Sequence, residues 1–115
     1  MNIETREMGE FMIICPKEKS LNALNCSTLK SQAIDTIEKG NEKIILDLTN
    51  VEFIDTAGLG TIIGIYKMLS SKENFFISSP SPKTKVIFHY TGVDSIIKIF
   101  SSVEEAIASN AKKTV

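Results

Sequence analysis

Residues 43–66 read KIILDLTNVEFIDTAGLGTIIGIY, and the fold turns on how this stretch divides. Lys43 to Leu48 is an apolar run of strand length with β-branched content. Leu59 to Leu69 has helical length and carries Leu59, Ile62, Ile63, Tyr66 and Leu69 on one face. Between the two, a short connection and Phe53-Ile54 lead into Asp55-Thr56-Ala57-Gly58-Leu59-Gly60, the entry to the helix. A short apolar strand whose neighbours in sequence both read as helices is best placed inside a parallel sheet, buried on both faces.

Working outward toward the N-terminus, Cys26, Leu29, Ala33 and Ile37 recur at helical steps, and Gly40-Asn41 supplies a stop signal. Phe11 to Cys15 is a β-type run closed by Pro16, with a first strand over Ile3 to Glu7 and a turn at Met8-Gly9-Glu10. Toward the C-terminus, Phe75 to Ser78 is the next strand. Ser81-Pro82 then opens a helix carrying Val86, Ile87 and Tyr90, which stops near Thr91-Gly92. Ile96 to Phe100 reads as a strand, and Ser102-Val103-Glu104-Glu105 as a capping box for a last helix ending near Ala111. Residues 112–115 are expected to fray. This alternation predicts an α/β fold, a mixed and mostly parallel sheet of about five strands with about four helices packed on it.

The chain has 115 residues, enough for one ordinary domain and too few for two. Thirteen basic against fourteen acidic residues leave a net charge of −1, which argues against a grip on a nucleic-acid backbone. The longest N-terminal apolar run, Phe11 to Cys15, is far short of a signal sequence or of the roughly 20 residues of a membrane span. Cys15 and Cys26 form no CxxC pair and read as small packing residues. A soluble, cytoplasmic protein with no membrane or nucleic-acid partner is expected. A single His and two Cys leave little for acid–base or metal chemistry, so composition leans away from an enzyme.

Gly58, Gly60 and Gly64 fall in the first turns of a helix, where each costs ~1 kcal/mol. Something must offset that, either a backbone conformation closed to other residues or a surface that approaches the helix closely. A small nucleotide-binding enzyme domain is one reading, but Gly58-x-Gly60-x-x-x-Gly64 misses the GxGxxG spacing and lacks a P-loop lysine. Between Lys43 and Lys67 there is no basic residue, while Asp47, Glu52 and Asp55 contribute three negative charges. Asp47 and Asp55 as a Mg²⁺ pair is a weaker reading, since Asp47 sits near a strand end. His89 falls on the polar side of its helix, away from any Ser or Cys motif. Thr56 stands just ahead of a helix N-terminus, where a phosphate can meet free amides and the positive dipole end. The plainer role for such a threonine is capping the helix through its hydroxyl.

Phe53-Ile54-Asp55-Thr56-Ala57-Gly58-Leu59-Gly60 closely resembles the signature of the anti-sigma factor antagonists, the bacterial STAS-domain family. Ser81-Pro82 with Val86, Ile87, Phe88 and Thr91-Gly92-Val93 resembles the family's second block. Asp94 to Phe100 and the Glu104-Glu105-Ala106 helix resemble its C-terminal end. The match spans roughly residues 10–110, so the resemblance implies one STAS domain over residues 1–115.

The resemblance implies a non-enzymatic switch without cofactor or metal, a monomer or weak dimer. Its unphosphorylated form binds an anti-sigma factor, a serine/threonine kinase of the GHKL type, and frees the sigma factor. That kinase phosphorylates the hydroxyl after the Asp, which maps to Thr56, and a PP2C-like phosphatase reverses it. Asp55 is implied to shape the acceptor turn, and Gly58 to let the partner approach. Ala57, Leu59 and Gly60 belong to the implied partner face; Lys67, on the exposed face of the Gly-rich helix, is a candidate to pair with an acidic partner surface, a solvated lysine being the plainer reading. Two departures stand out: Thr56 where Ser is commoner, and Asn22 where an Asp is usual, removing one negative charge. An alternative within the family is a subunit of a larger assembly, a stressosome-type scaffold or transporter accessory protein.

Overall fold

A computed structural model describes residues 1–113, with side chains through residue 110. Ile3–Met8 (β1) and Phe11–Pro16 (β2) form an antiparallel hairpin. Its two-residue turn places Gly9 at φ +59° in the first central position, where the II′ class of turn needs glycine. Ser20–Leu21 (β3) is a two-residue strand, followed by Cys26–Glu38 (α1) and Ile44–Asp47 (β4). Phe53–Ile54 (β5) leads into Thr56–Met68 (α2). After a 3₁₀ turn at Lys72–Asn74 come Phe75–Ser78 (β6), Pro82–Thr91 (α3) and Val93–Ile96 (α4). Lys98–Phe100 (β7) and Val103–Lys113 (α5) complete the chain's described elements.

The main sheet has the order β1-β2-β4-β6-β7, parallel throughout except for β1. This is the expected mixed α/β sheet, with β4 at its centre and every residue of β4 buried. Strand alternation deals the side chains to two cores. Ile14, Ile44, Leu46, Phe75 and Ile77 face a large core with Leu29 and Ala33 of α1, Ile62 and Ile65 of α2, and Phe88 of α3. Ile13, Ile45 and Phe76 face the opposite way, onto Val103 and Ala106 of α5. Phe76 packs between Phe11, tilted at 5.4 Å, and Phe100, met edge-on at 5.2 Å between ring centroids.

Ser81 caps α3 by accepting from the Thr84 N–H at 3.2 Å, with Pro82 at the first helical position, and Gly92 ends the helix in the left-handed conformation. The Glu105 N–H donates to Ser102 Oγ at 3.0 Å, one half of the expected capping box. Glu105 itself reaches Ser101 Oγ instead of closing the box. α5 extends to Lys113, past the expected end, and residues 114–115 of the expected frayed tail lie outside the described residues.

Several details differ from the sequence reading. α2 starts at Thr56, three residues earlier than expected, because Asp55 caps it. Its buried stripe is Gly58, Ile62, Ile65 and Leu69; Leu59, Ile63 and Tyr66 lie at its margins, only half-buried. On α3 the inward residues are Thr84 and Phe88, while Val86 and Tyr90 face solvent. Apolar content at 86 and 90 pointed to the wrong side, whereas Ile87 is half-buried beside Phe88, and Thr84, fully buried, is the threonine of the capping network. The run from Ile96 to Phe100 splits into the end of α4 and the short β7, which adds a fifth helix. The strands β3 and β5 were not foreseen at all; each is too short to show a period.

Two exposed carboxylates tie elements together. Lys43 Nζ donates to Glu10 Oε2 at 2.7 Å, and the Ser70 N–H donates to Glu42 Oε1 at 2.9 Å. Both contacts hold their carboxyls below the usual range. Depressed values mean stability that is present above the ordinary carboxylate pKa and lost as pH falls through the folded one.

Cys15 is buried beside Asp47, and burial, then the Asp47 charge, push its thiol upward. Cys26 is half-buried near the start of α1. A thiol reagent under native conditions therefore labels Cys26 and spares Cys15 until the protein unfolds, a difference read by intact mass. Equal labelling rates would contradict this placement.

Candidate functional site

The site is built where two very short strands meet. β3 and β5 pair in parallel, Ser20 opposite Phe53 and Leu21 opposite Ile54. Parallel pairing brings both C-terminal ends out together, so the turn that begins at Asn22 follows β3 where Asp55 follows β5. The Asp55 N–H extends the ladder by donating to the Leu21 carbonyl at 3.1 Å. Asp55 then turns the chain into α2: its own carbonyl accepts from the Leu59 N–H at 2.9 Å, and Oδ1 accepts from the Gly58 N–H at 2.9 Å. It is therefore the cap, and Thr56 is not.

Thr56 becomes the first residue of the helix, with an exposed side chain. Among the described residues its hydroxyl has no hydrogen-bond partner. The Thr56 and Ala57 N–H groups lie in the first turn, where a helix has no internal acceptor for them. A negative group on Thr56 meets two open donors and the positive end of the helix dipole.

The three glycines separate into two kinds. A Cβ on Gly58 lies 2.6 Å from the Leu21 carbonyl oxygen and 2.9 Å from Ile54 Cγ2. Gly58 is buried and serves the chain's own packing, so the expectation that it clears space for a partner is corrected. A Cβ on Gly60 or Gly64 meets nothing within 4 Å. Those two leave an outer strip of α2 bare, and nothing inside the fold accounts for their cost.

Lys67, exposed in the last turn of α2, shares the side of the helix that holds Thr56 but stands about 16 Å along the axis. It is not part of the Thr56 cluster. Asn22 is closer, in the turn after β3. Its Oδ1 accepts from the Leu24 N–H at 2.9 Å, its Nδ2 donates to Ser20 Oγ at 2.7 Å, and its N–H donates to Asn25 Oδ1 at 2.9 Å. That network holds Leu24 outward, 95% exposed. Phe53, across from Ser20, is 47% exposed. Sequence reasoning missed both apolar residues. The available signals were a leucine enclosed by the turn residues Asn22 and Asn25, and the alternation that sends Ile54 inward and Phe53 outward.

The other sequence candidates lie elsewhere. Asp47 is buried at the end of β4, where its Oδ1 accepts from the Thr49 N–H, Thr49 Oγ1 and Ser78 Oγ. Asp47 and Asp55 are thus committed to different local networks, and no group of three or more potential metal ligands occurs among the described residues. The Gly58 amide, which a phosphate-cradling loop would aim at its ligand, is held by the Asp55 carboxylate. His89 is exposed on α3, with Nδ1 3.1 Å from Asp94 Oδ2. Among the described residues no helix is long and apolar enough to cross a membrane.

Comparison with known proteins places this geometry. The STAS domain profile matches residues 2–106. A Thermotoga maritima protein named as a candidate anti-sigma factor antagonist is 36% identical over 104 residues, covering 89% of this chain and 92% of that protein. A crystal structure of an antagonist of the same description, also from Thermotoga maritima, superposes with a TM-score of 0.86 at 33% identity, over 93% of this chain and 92% of that one. The anti-sigma factor antagonist SpoIIAA, solved in its unphosphorylated form, shares the fold with a TM-score of 0.79 at 18% identity, over 96% and 97% of the two chains.

The glycine assignment has opposite signs at two neighbouring positions. Gly58→Ala lowers stability by about 1–3 kcal/mol, because the new methyl meets backbone. Gly60→Ala raises it by about 0.5–1 kcal/mol, the helix propensity gained at an open position. Denaturant melts of the two variants against the wild type read both changes.

Proposed function

This chain belongs to the STAS domain family, among its anti-sigma factor antagonists, and on that premise we propose that it is a phosphorylation-controlled antagonist whose switch residue is Thr56. In this reading the unphosphorylated chain binds an anti-sigma factor kinase of the GHKL type through the surface around the start of α2, and so frees a sigma factor. The same kinase transfers a phosphoryl group to Thr56, and a PP2C-like phosphatase removes it. The chain supplies the hydroxyl and the docking surface; the partner supplies the chemistry. The observation that carries this reading is that Thr56 Oγ1 is exposed and unpartnered at the first helical position while Asp55 does the capping. That a fold neighbour was solved in an explicitly unphosphorylated form supports it.

The physics of the switch follows from local charge. Phosphate adds roughly −1.5 to −2 charges, taking the whole chain from −1 to about −2.5 or −3. Within the isolated fold the group is tolerated, because the Thr56 and Ala57 amides and the helix dipole face it. In a complex it must be desolvated beside Asp55, where like charges repel. Each ~1.4 kcal/mol of that penalty weakens binding tenfold, so a few kcal/mol separate bound from free. Exposed Leu24 and Phe53 provide apolar contact beside the acceptor, and the bare strip at Gly60 and Gly64 lets a partner approach the helix backbone. Asn22, Asp55, Ala57 and Leu59 complete the docking surface around Thr56, and Lys67 extends it along α2.

Incubation with ATP and the GHKL kinases of the same genome adds one phosphate by intact mass, and Thr56→Ala abolishes it. The alanine variant binds the kinase constitutively, whereas Thr56→Glu weakens binding at least tenfold. Stoichiometric labelling of the alanine variant would refute Thr56 as acceptor. Unchanged affinity in the glutamate variant would refute the electrostatic account.

A further inference from the structure

Strand β1 is an edge of the main sheet, with β2 on one side and no described element on the other. Glu4, Thr5, Arg6 and Glu7 are exposed, and the strand contains neither Pro nor a bulge. A six-residue regular edge of this kind offers unpaired backbone groups to another strand. Which groups point outward follows from the β1–β2 register. Residues whose numbers sum to 19 face each other, from Ile3 opposite Pro16 to Met8 opposite Phe11. The Lys17 N–H donates to the Asn2 carbonyl at 2.8 Å, and these two also sum to 19, so the even residues of β1 hold the hydrogen-bonded positions toward β2. The N–H and C=O groups of Ile3, Thr5 and Glu7 therefore turn to the free edge.

From this edge we infer that the chain forms a two-fold homodimer by antiparallel pairing of β1 with β1 of a second copy, centred on Thr5. In that register Thr5 faces Thr5, and Ile3 faces Glu7 twice, so each of the three outward residues sits in a hydrogen-bonded pair with two bonds. The intervening even positions set Glu4 opposite Arg6 of the second copy and Arg6 opposite Glu4. Non-hydrogen-bonded pairs hold side chains closest, and opposite charges there attract. Arg6 has no ion-pair partner within its own chain among the described residues. Glu4 has only an exposed contact with Lys17 at 3.5 Å, a pair of small worth.

The charges also select the register. Slipping by one residue on each strand keeps the outward groups matched but centres the pair on Glu4 or on Arg6, placing like charges face to face. Charges placed only to protect an edge would repel a copy in every register; Glu4 and Arg6, two apart and opposite in sign, repel it in the neighbouring registers and attract it in this one. The two-fold axis makes one patch complementary to itself. The contact is a short strand pair, smaller than the roughly 1,200–2,000 Å² of stable interfaces, so the dimer is reversible and concentration-dependent. It joins two main sheets into one continuous sheet and does not depend on the role of Thr56.

Sedimentation velocity of the full chain from micromolar to millimolar concentration is expected to show a monomer–dimer equilibrium. Arg6→Glu and Glu4→Arg each weaken it at least tenfold with unchanged melting curves, since both residues are exposed. The double variant Glu4→Arg/Arg6→Glu recreates the opposite-charge pairs and restores dimerisation. A monomer at all concentrations, single variants that dimerise like the wild type, or a double variant as weak as the singles would overturn the proposal. Dimers that survive both single variants identify a different face, and that too overturns it.

Discussion

The Leu21 carbonyl is the contact on which the site depends. It accepts the Asp55 N–H at 3.1 Å and stands where a side chain on Gly58 would begin, 2.6 Å from an added Cβ. One oxygen thus couples β3 to the first turn of α2. Asp55 can cap Gly58 only because its backbone is already held on β3. With the cap supplied by a carboxylate, the next residue keeps a free hydroxyl. A threonine at the capping position itself would spend that hydroxyl on the helix, and a residue further along would lose the open amides of the first turn.

The rest of the fold keeps this corner still while leaving its outer surface open. Alternation in β4 and β6 sends Ile44, Leu46, Phe75 and Ile77 to the helical core beneath α2, which is anchored there by Ile62 and Ile65. Ile45 and Phe76 serve the opposite core under α5, and Asp47 and Ser78 end the same face with a hydrogen bond between them. Burial on the inner side of α2 offsets the propensity that Gly60 and Gly64 give up on the outer side. The exposed Leu24 and Phe53 follow from the same arrangement, since β3 and β5 are only two residues long and have one side each to present inward.

Much of this was legible in residue order. KIILDL announces a buried parallel strand because no polar residue interrupts its centre, and Ser81-Pro82 with Gly92 brackets α3 because cap chemistry is local. The face of α3 was not legible: Thr84 reads as polar, yet it is fully buried once its hydroxyl lies 2.9 Å from Ser81 Oγ. β3 and β5 were invisible for a different reason. Two residues carry no periodicity, and their pairing joins positions more than thirty residues apart. The roles of the glycines were likewise closed to inspection, because a glycine letter records the absence of a side chain without saying what occupies the space.

The sequence by itself determined the α/β class, the succession of elements and the DTAGLG turn, since each rests on local periodicity, caps and the resemblance carried by contiguous residues. Tertiary structure alone decided that Asp55 is the cap and Thr56 the free hydroxyl, that Gly58 is packed against Leu21 while Gly60 is bare, and that β1 leaves Ile3, Thr5 and Glu7 facing outward. Those are questions of which groups meet across long separations in the chain. Hydrogen-bond partners and excluded volume answer them only after the strands have paired.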